Sequence, residues 1–171
     1  MQKIWIGVLC LGLPLGVWAM GQMGALAGSP PTDLGAPQGQ LKAPSLTRNS
    51  VSSQASRHPD HPQMAYADIA PLPLLHGDAQ ASWQRLTQLI QSQSNMQVRQ
   101  LTPNYMWAQA RTRWLGFVDD VEFVLAADEG VIHVRSASRL GREDFGTNRK
   151  RVTCLAQRYA SSDQSGAMAC P

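Results

Sequence analysis

The feature that most constrains this chain is the stretch from Tyr105 to Ala137, where apolar and polar residues alternate through three successive runs. A period of two puts neighbouring side chains on opposite faces of a strand. Tyr105–Trp114, Val118–Ala126 and Val131–Ala137 read as strands, reversed at Leu115-Gly116 and at Ala127-Asp128-Glu129-Gly130. Met96–Leu101 adds a fourth strand before the turn residues Thr102-Pro103-Asn104. Joined through the shortest turns, these runs make an antiparallel meander. One face then collects Met106, Ala108, Ala110, Val121, Phe123, Leu125, Ile132 and Val134. The other collects Gln109, Arg111, Asp120, Glu122, His133 and Arg135. In this register Arg111 lies opposite Asp120, and Glu122 sits between Gln109 and Arg135.

An apolar face needs cover, and two segments with helical spacing supply it. Asp78 is suited to cap a helix carrying Ala79, Trp83, Leu86 and Ile90 on one stripe. Arg149–Tyr159 repeats the pattern with Val152, Leu155, Ala156 and Tyr159, capped by Thr147 or Asn148. The expected fold is α+β: a four-stranded antiparallel meander with one face covered by two helices, preceded by an extended arm.

The N-terminal region has a different character. Lys3 is the only charge before Asp33, an apolar run extends from Ile4 to Met20, and Ala25-Leu26-Ala27 follows. This reads as a signal peptide over residues 1–27, cleaved after Ala27. The alternative is an uncleaved N-terminal membrane anchor. Residues 28–46, rich in Gly, Pro, Ser and Gln, read as a flexible linker. The domain is expected over 47–160, and 161–171 as a disordered tail. The expected location is exported, in a periplasm or a thylakoid lumen. Such a compartment permits a disulfide; a Cys154–Cys170 bridge and two unrelated thiols both fit the spacing.

Charge narrows the partners. The net charge is only +3, so a nucleic-acid partner is not expected. Arginine supplies most of the positive side, twelve against three lysines. Charged residues crowd between Arg111 and Arg149. Three readings compete for them. In the first, Arg111, Asp120, Glu122, Arg135, Ser136, Ser138, Arg139, Arg142, Asp144, Asn148 and Arg149 form a non-catalytic site for a small anionic or lipid-like ligand, or for a membrane-complex partner. The loop entering the last helix offers backbone N–H groups to an anion, and arginine offers forked donors. In the second, Asp120 and Glu122 are the acid and base of a hydrolase or isomerase, although the nearby arginines oppose an acid role. In the third, the cluster is a salt-bridge lattice of a structural or assembly protein. No cofactor is implied. His58, Asp60 and His61 lack the further ligands that a metal site needs.

Two long motifs carry a resemblance: RTRWLGFVDDVEF at 111–123 and IHVRSASRLGREDFGTNRKRV at 132–152. With NSVSSQ at 49–54 and IAPL at 69–72, the chain resembles the domain-of-unknown-function family 1499 over roughly residues 47–160. That family commonly carries Pro-Asn-Cys-Val-Ser-Ser near its start. Here Ser50 stands where the Cys would be, so a role for that thiol does not transfer. The resemblance implies domain limits and an exported, membrane-associated or organellar setting, and no activity.

Overall fold

A computed structural model describes residues 15, 16, 18–161 and 169–171. The first part of the expected signal segment and most of the expected tail lie outside the described residues. Strands β3 (Met96–Leu101), β4 (Tyr105–Arg111), β5 (Val118–Ala126) and β6 (Val131–Ser138) form the expected antiparallel meander. The arm adds two short strands, β1 (Ser50–Ser52) and β2 (Leu72–Pro73), both antiparallel to β6. The sheet therefore runs β1-β6-β5-β4-β3, with β2 pairing further along β6.

Helix α1 is a single turn, Met64–Ala67. Helix α2 spans Ala79–Ser92, and α3 spans Thr147–Ala160. The Asp78 carboxylate accepts from the Ala81 N–H at 2.9 Å and so starts α2. Trp83, Leu86, Leu89 and Ile90 of α2 pack with Val152, Leu155 and Tyr159 of α3 against Met106, Ala108, Ala110, Val121, Phe123, Ile132 and Val134. Each large apolar side chain buried this way contributes about 1.5–3 kcal/mol. The fold class and the apolar face follow the alternation pattern.

The β4–β5 register differs from the shortest-turn pairing. Arg111 pairs with Val118, and Asp120 pairs with Gln109. The connection is longer than Leu115-Gly116: Thr112 N–H donates to the Phe117 carbonyl, and the Phe117 N–H returns to Thr112 Oγ1, both at 2.9 Å. Residues 112–117 are thereby taken out of the ladder. The register slips by two residues, an even number, so every side chain keeps its face. On the β5–β6 side Glu122 does pair with Arg135.

The second face of the sheet is not open. Residues 35–41 lie over it. Leu41 packs with Tyr105 and Val124, joined by Ala36 and Trp107. The Leu41 N–H donates to Gln54 Oε1 at 2.8 Å, and Gln54 Nε2 donates to the Gly39 carbonyl at 2.9 Å. The segment read as a linker thus carries specific contacts, made mainly through its backbone. At the other end, a Cys154–Cys170 disulfide ties the C-terminal residues to α3. Cys170 is buried, and its carbonyl accepts from Asn95 Nδ2 at 2.7 Å.

Candidate functional site

The charged cluster divides into four places. On the covered sheet face, strand alternation aims Asp120, Glu122 and Arg135 beneath the arm, where all three are buried. Arg139 enters from the end of β6 and grips Asp120 through Nε and Nη2, each at 2.8 Å. This is the two-pronged contact that a planar guanidinium makes with a carboxylate. Trp107 Nε1 donates to the same carboxylate at 2.8 Å. Glu122 accepts from Arg135 Nη1 at 3.3 Å, from Tyr105 Oη at 2.8 Å and from the Gly35 N–H at 3.0 Å. Burial, then the charge and hydrogen bond of Glu122, push the Tyr105 phenol well above its ordinary value. Burial pulls the Arg135 guanidinium down, against the opposing pull of Glu122. Both carboxylates are buried and engaged by these partners.

The second place surrounds the start of α3. Gly146 and Asn148 N–H groups both donate to Asp144, at 2.9 Å each. The expected anion position at this helix start is therefore filled by the chain's own carboxylate. Burial works to raise the Asp144 pKa, but the Asn148 N–H, Tyr66, the Asn148 side chain and the Gly146 N–H together hold it below its ordinary value. Burial and Asp144 in turn push the Tyr66 phenol up to about 12. Asn148 is fully buried and bonds Ser136, Ser138, Asp144 and the Asn49 carbonyl. Arg151, also fully buried, donates to Ser136 Oγ at 3.1 Å and to Asn148 Oδ1 at 2.8 Å. Its Nη2 meets Asp119 at 2.6 Å. Arg149 lies outside this network, donating to the Tyr66 and Asp68 carbonyls, and Arg142 is exposed on the preceding loop.

The third place is a hydrogen-bond chain. Ser53 Oγ lies 3.0 Å from His133 Nδ1, and His133 Nε2 lies 3.0 Å from Glu129 Oε2. Arg57 holds the other Glu129 oxygen at 2.7 Å. The hydrogen bond from His133, then that from Arg57, lower the Glu129 pKa. The order of residue types matches a hydrolase relay, but the geometry is that of a clamp. Ser53 Oγ also accepts the Val134 N–H at 2.9 Å, and its own N–H donates to the Val134 carbonyl. The hydroxyl is thus used twice beside the β pairing, and Ser53 is buried.

The fourth place does open. A cleft of about 1000 Å³ lies at the β3–β4 edge, bounded by Gln97, Arg99, Gln109, Arg111, Arg113 and the Ala169–Pro171 segment. None of its lining residues is an Asp or a Glu. Arg99 donates through Nε to Gln109 Oε1 at 2.8 Å, and the Arg113 guanidinium sits 5.8 Å from the Trp114 ring centre. Arg111 uses Nη2 on the Gly21 and Gln22 carbonyls. The remaining guanidinium N–H groups of these three arginines have no hydrogen-bond partner among the described residues.

Of the residues expected to form one ligand site, only Arg111 lines this cleft. Asp120, Glu122, Arg135 and Arg139 belong to the covered face; Ser136, Ser138, Asp144 and Asn148 belong to the α3 network. Sequence reasoning passed over Arg151, Arg99, Asn49, Tyr105 and Trp107. Arg151 carried a signal: it precedes Leu155 and Tyr159 by four and eight residues, on the stripe that packs against the sheet. Asp119 shares strand parity with Val121 and Phe123, so it faces the same helix.

Among the described residues, no group of three or more His, Cys, Asp and Glu side chains is placed to hold a metal ion. None of the described helices is long and apolar enough to cross a membrane. A family model described as a protein of unknown function (DUF1499) matches residues 40–158. No curated protein and no solved structure matches the chain.

Proposed function

The chain belongs to this family of unknown function, and from that premise we propose that its domain is a non-catalytic module that binds a small anionic or lipid-like ligand in the arginine-lined cleft. One observation carries the reading: Arg99, Arg111 and Arg113 line one open volume whose lining holds no Asp or Glu side chain. Elsewhere in the domain, the buried arginines Arg135, Arg139 and Arg151 each hold an acid. Arginines with spare forked donors favour a phosphate or a carboxylate. An exported setting, periplasm or thylakoid lumen, goes with this proposal. It is supported by the apolar N-terminal run and by the Cys154–Cys170 bridge, which suits an oxidising compartment.

The test is native mass spectrometry on the protein taken from an envelope fraction, followed by calorimetric titration with glycerol phosphate. The expected result is added mass that leaves on denaturation, and binding that Arg99→Gln with Arg113→Gln abolishes. Equal binding by wild type and double variant, or no binding by either, sinks the assignment of this cleft.

A further inference from the structure

We propose that the β4–β5 hairpin tip and the N-terminal segment docked on it form a bilayer-facing surface, and that the cleft ligand is the headgroup of an anionic lipid. The polar half of this proposal rests on the anion-binding reading above.

The apolar half rests on separate observations. The loop 112–117 projects Trp114, 70% exposed, with Leu115 beside it. The end of the N-terminal segment is fixed against this loop. Gln22 Nε2 donates to the Arg113 and Trp114 carbonyls at 3.3 and 3.2 Å, and Arg111 donates to the Gly21 carbonyl at 2.8 Å. The approach is close enough to need glycine on both sides: a Cβ at Gly21 would stand 2.2 Å from the Leu115 carbonyl oxygen, and one at Gly116 would stand 2.3 Å from that of Gly21. The same segment leaves Leu15, Trp18, Met20 and Met23 exposed. Two segments that carry exposed large apolar side chains therefore touch each other, with Arg111 and Arg113 at the contact.

A bilayer surface fits this combination better than an apolar protein groove does. Tryptophan settles at the boundary between acyl chains and headgroups. Arginine covers apolar surface with its stem while its head reaches phosphate. Cations near an anionic leaflet are attracted to it. In this arrangement the apolar segment stays attached to the domain, with Arg111 capping its end, instead of being removed after Ala27.

The experiment adds the full chain to phosphatidylcholine vesicles carrying brominated acyl chains, with and without phosphatidylglycerol. It compares wild type with Trp114→Phe and with the Arg99→Gln, Arg113→Gln pair. The expected result is a quenched fluorescence component that Trp114→Phe reduces, Trp18 of the docked segment keeping the remainder. That component should grow with the phosphatidylglycerol fraction in wild type and lose this growth in the arginine pair. Identical quenching in wild type and Trp114→Phe overturns the proposal, as does chemical cross-linking of hairpin to hairpin between two copies. Glycerol phosphate titration separates the two failures. Binding of glycerol phosphate without Trp114 quenching keeps the anion cleft and removes the bilayer; absence of both removes the cleft as well.

Discussion

Two sets of arginines divide this domain. Arg135, Arg139 and Arg151 lie within the fold, each against a buried carboxylate. Arg99, Arg111 and Arg113 line an open edge with no Asp or Glu among its walls. The residue type is the same and the consequence is opposite. A guanidinium taken out of water loses several kcal/mol of hydration and needs a carboxylate in return. A guanidinium at an edge keeps its hydration and its donors, and remains available to something outside the chain. Density of charge along the sequence therefore says little about a binding site until burial has separated the two sets.

The comparison can be broken most forcefully at Arg151. Arg151→Ala leaves Asp119 buried without its partner, and should cost about 3–5 kcal/mol in urea denaturation. Arg151→Met with Asp119→Leu should recover most of that loss, because the cost lies in the orphaned charge and not in a missing attraction. Equal destabilisation by the single and double variants would mean that the pair does more than satisfy its own burial.

Removing the disulfide comes next. Cys154 and Cys170 are 16 residues apart, and closing such a loop contributes about 3 kcal/mol. Cys154→Ser with Cys170→Ser should lower the urea midpoint accordingly. It should also weaken glycerol phosphate binding, since Ala169–Pro171 form a wall of the cleft. Loss of stability with unchanged binding would separate that wall from the site.

Acid provides a smaller effect. Asp144 has its folded pKa held below its ordinary value, which is about 3.9 in an unfolded chain. Its contribution to stability is present above that unfolded value and is lost as pH falls through the lower, folded one. Asp144→Asn should flatten the fall in stability below about pH 4, read by thermal melts across the acid range. An unchanged slope would place the acid sensitivity elsewhere.

The smallest stability change is expected at the edge. Arg99→Gln with Arg113→Gln should shift unfolding by no more than about 0.5 kcal/mol, the usual scale for exposed positions, while removing anion binding. A large loss of stability there would merge the two sets of arginines and undo the comparison.

Much of the fold is legible because each of its signals is local. Strand alternation separated Val121 and Phe123 from Asp120 and Glu122, and a β5–β6 turn of the assumed length placed Glu122 opposite Arg135. Helical spacing identified α2 and α3. The β4–β5 pairing was displaced because Thr112 and Phe117 close a wider loop than the Leu115-Gly116 pair suggests. The ligand site was less legible. Asp144 and Asn148 resemble an anion-binding loop in sequence, and only their geometry shows Asp144 itself occupying the helix start.

The arm marks the boundary most clearly. Its first part, residues 28–46, has a Gly, Pro and Gln composition with no period, and docks through the Gly35 and Leu41 N–H groups and the Gly39 carbonyl. Backbone groups are the same at every residue, so no side-chain pattern encodes where they bond. By itself the sequence determined the fold class, the two faces of the sheet and the crowding of charge, because periodicity is a property of neighbours along the chain. Tertiary structure decided which of those charges are spent inside the fold and which remain for a partner. That outcome depends on what covers each face, and the cover comes from segments distant in sequence.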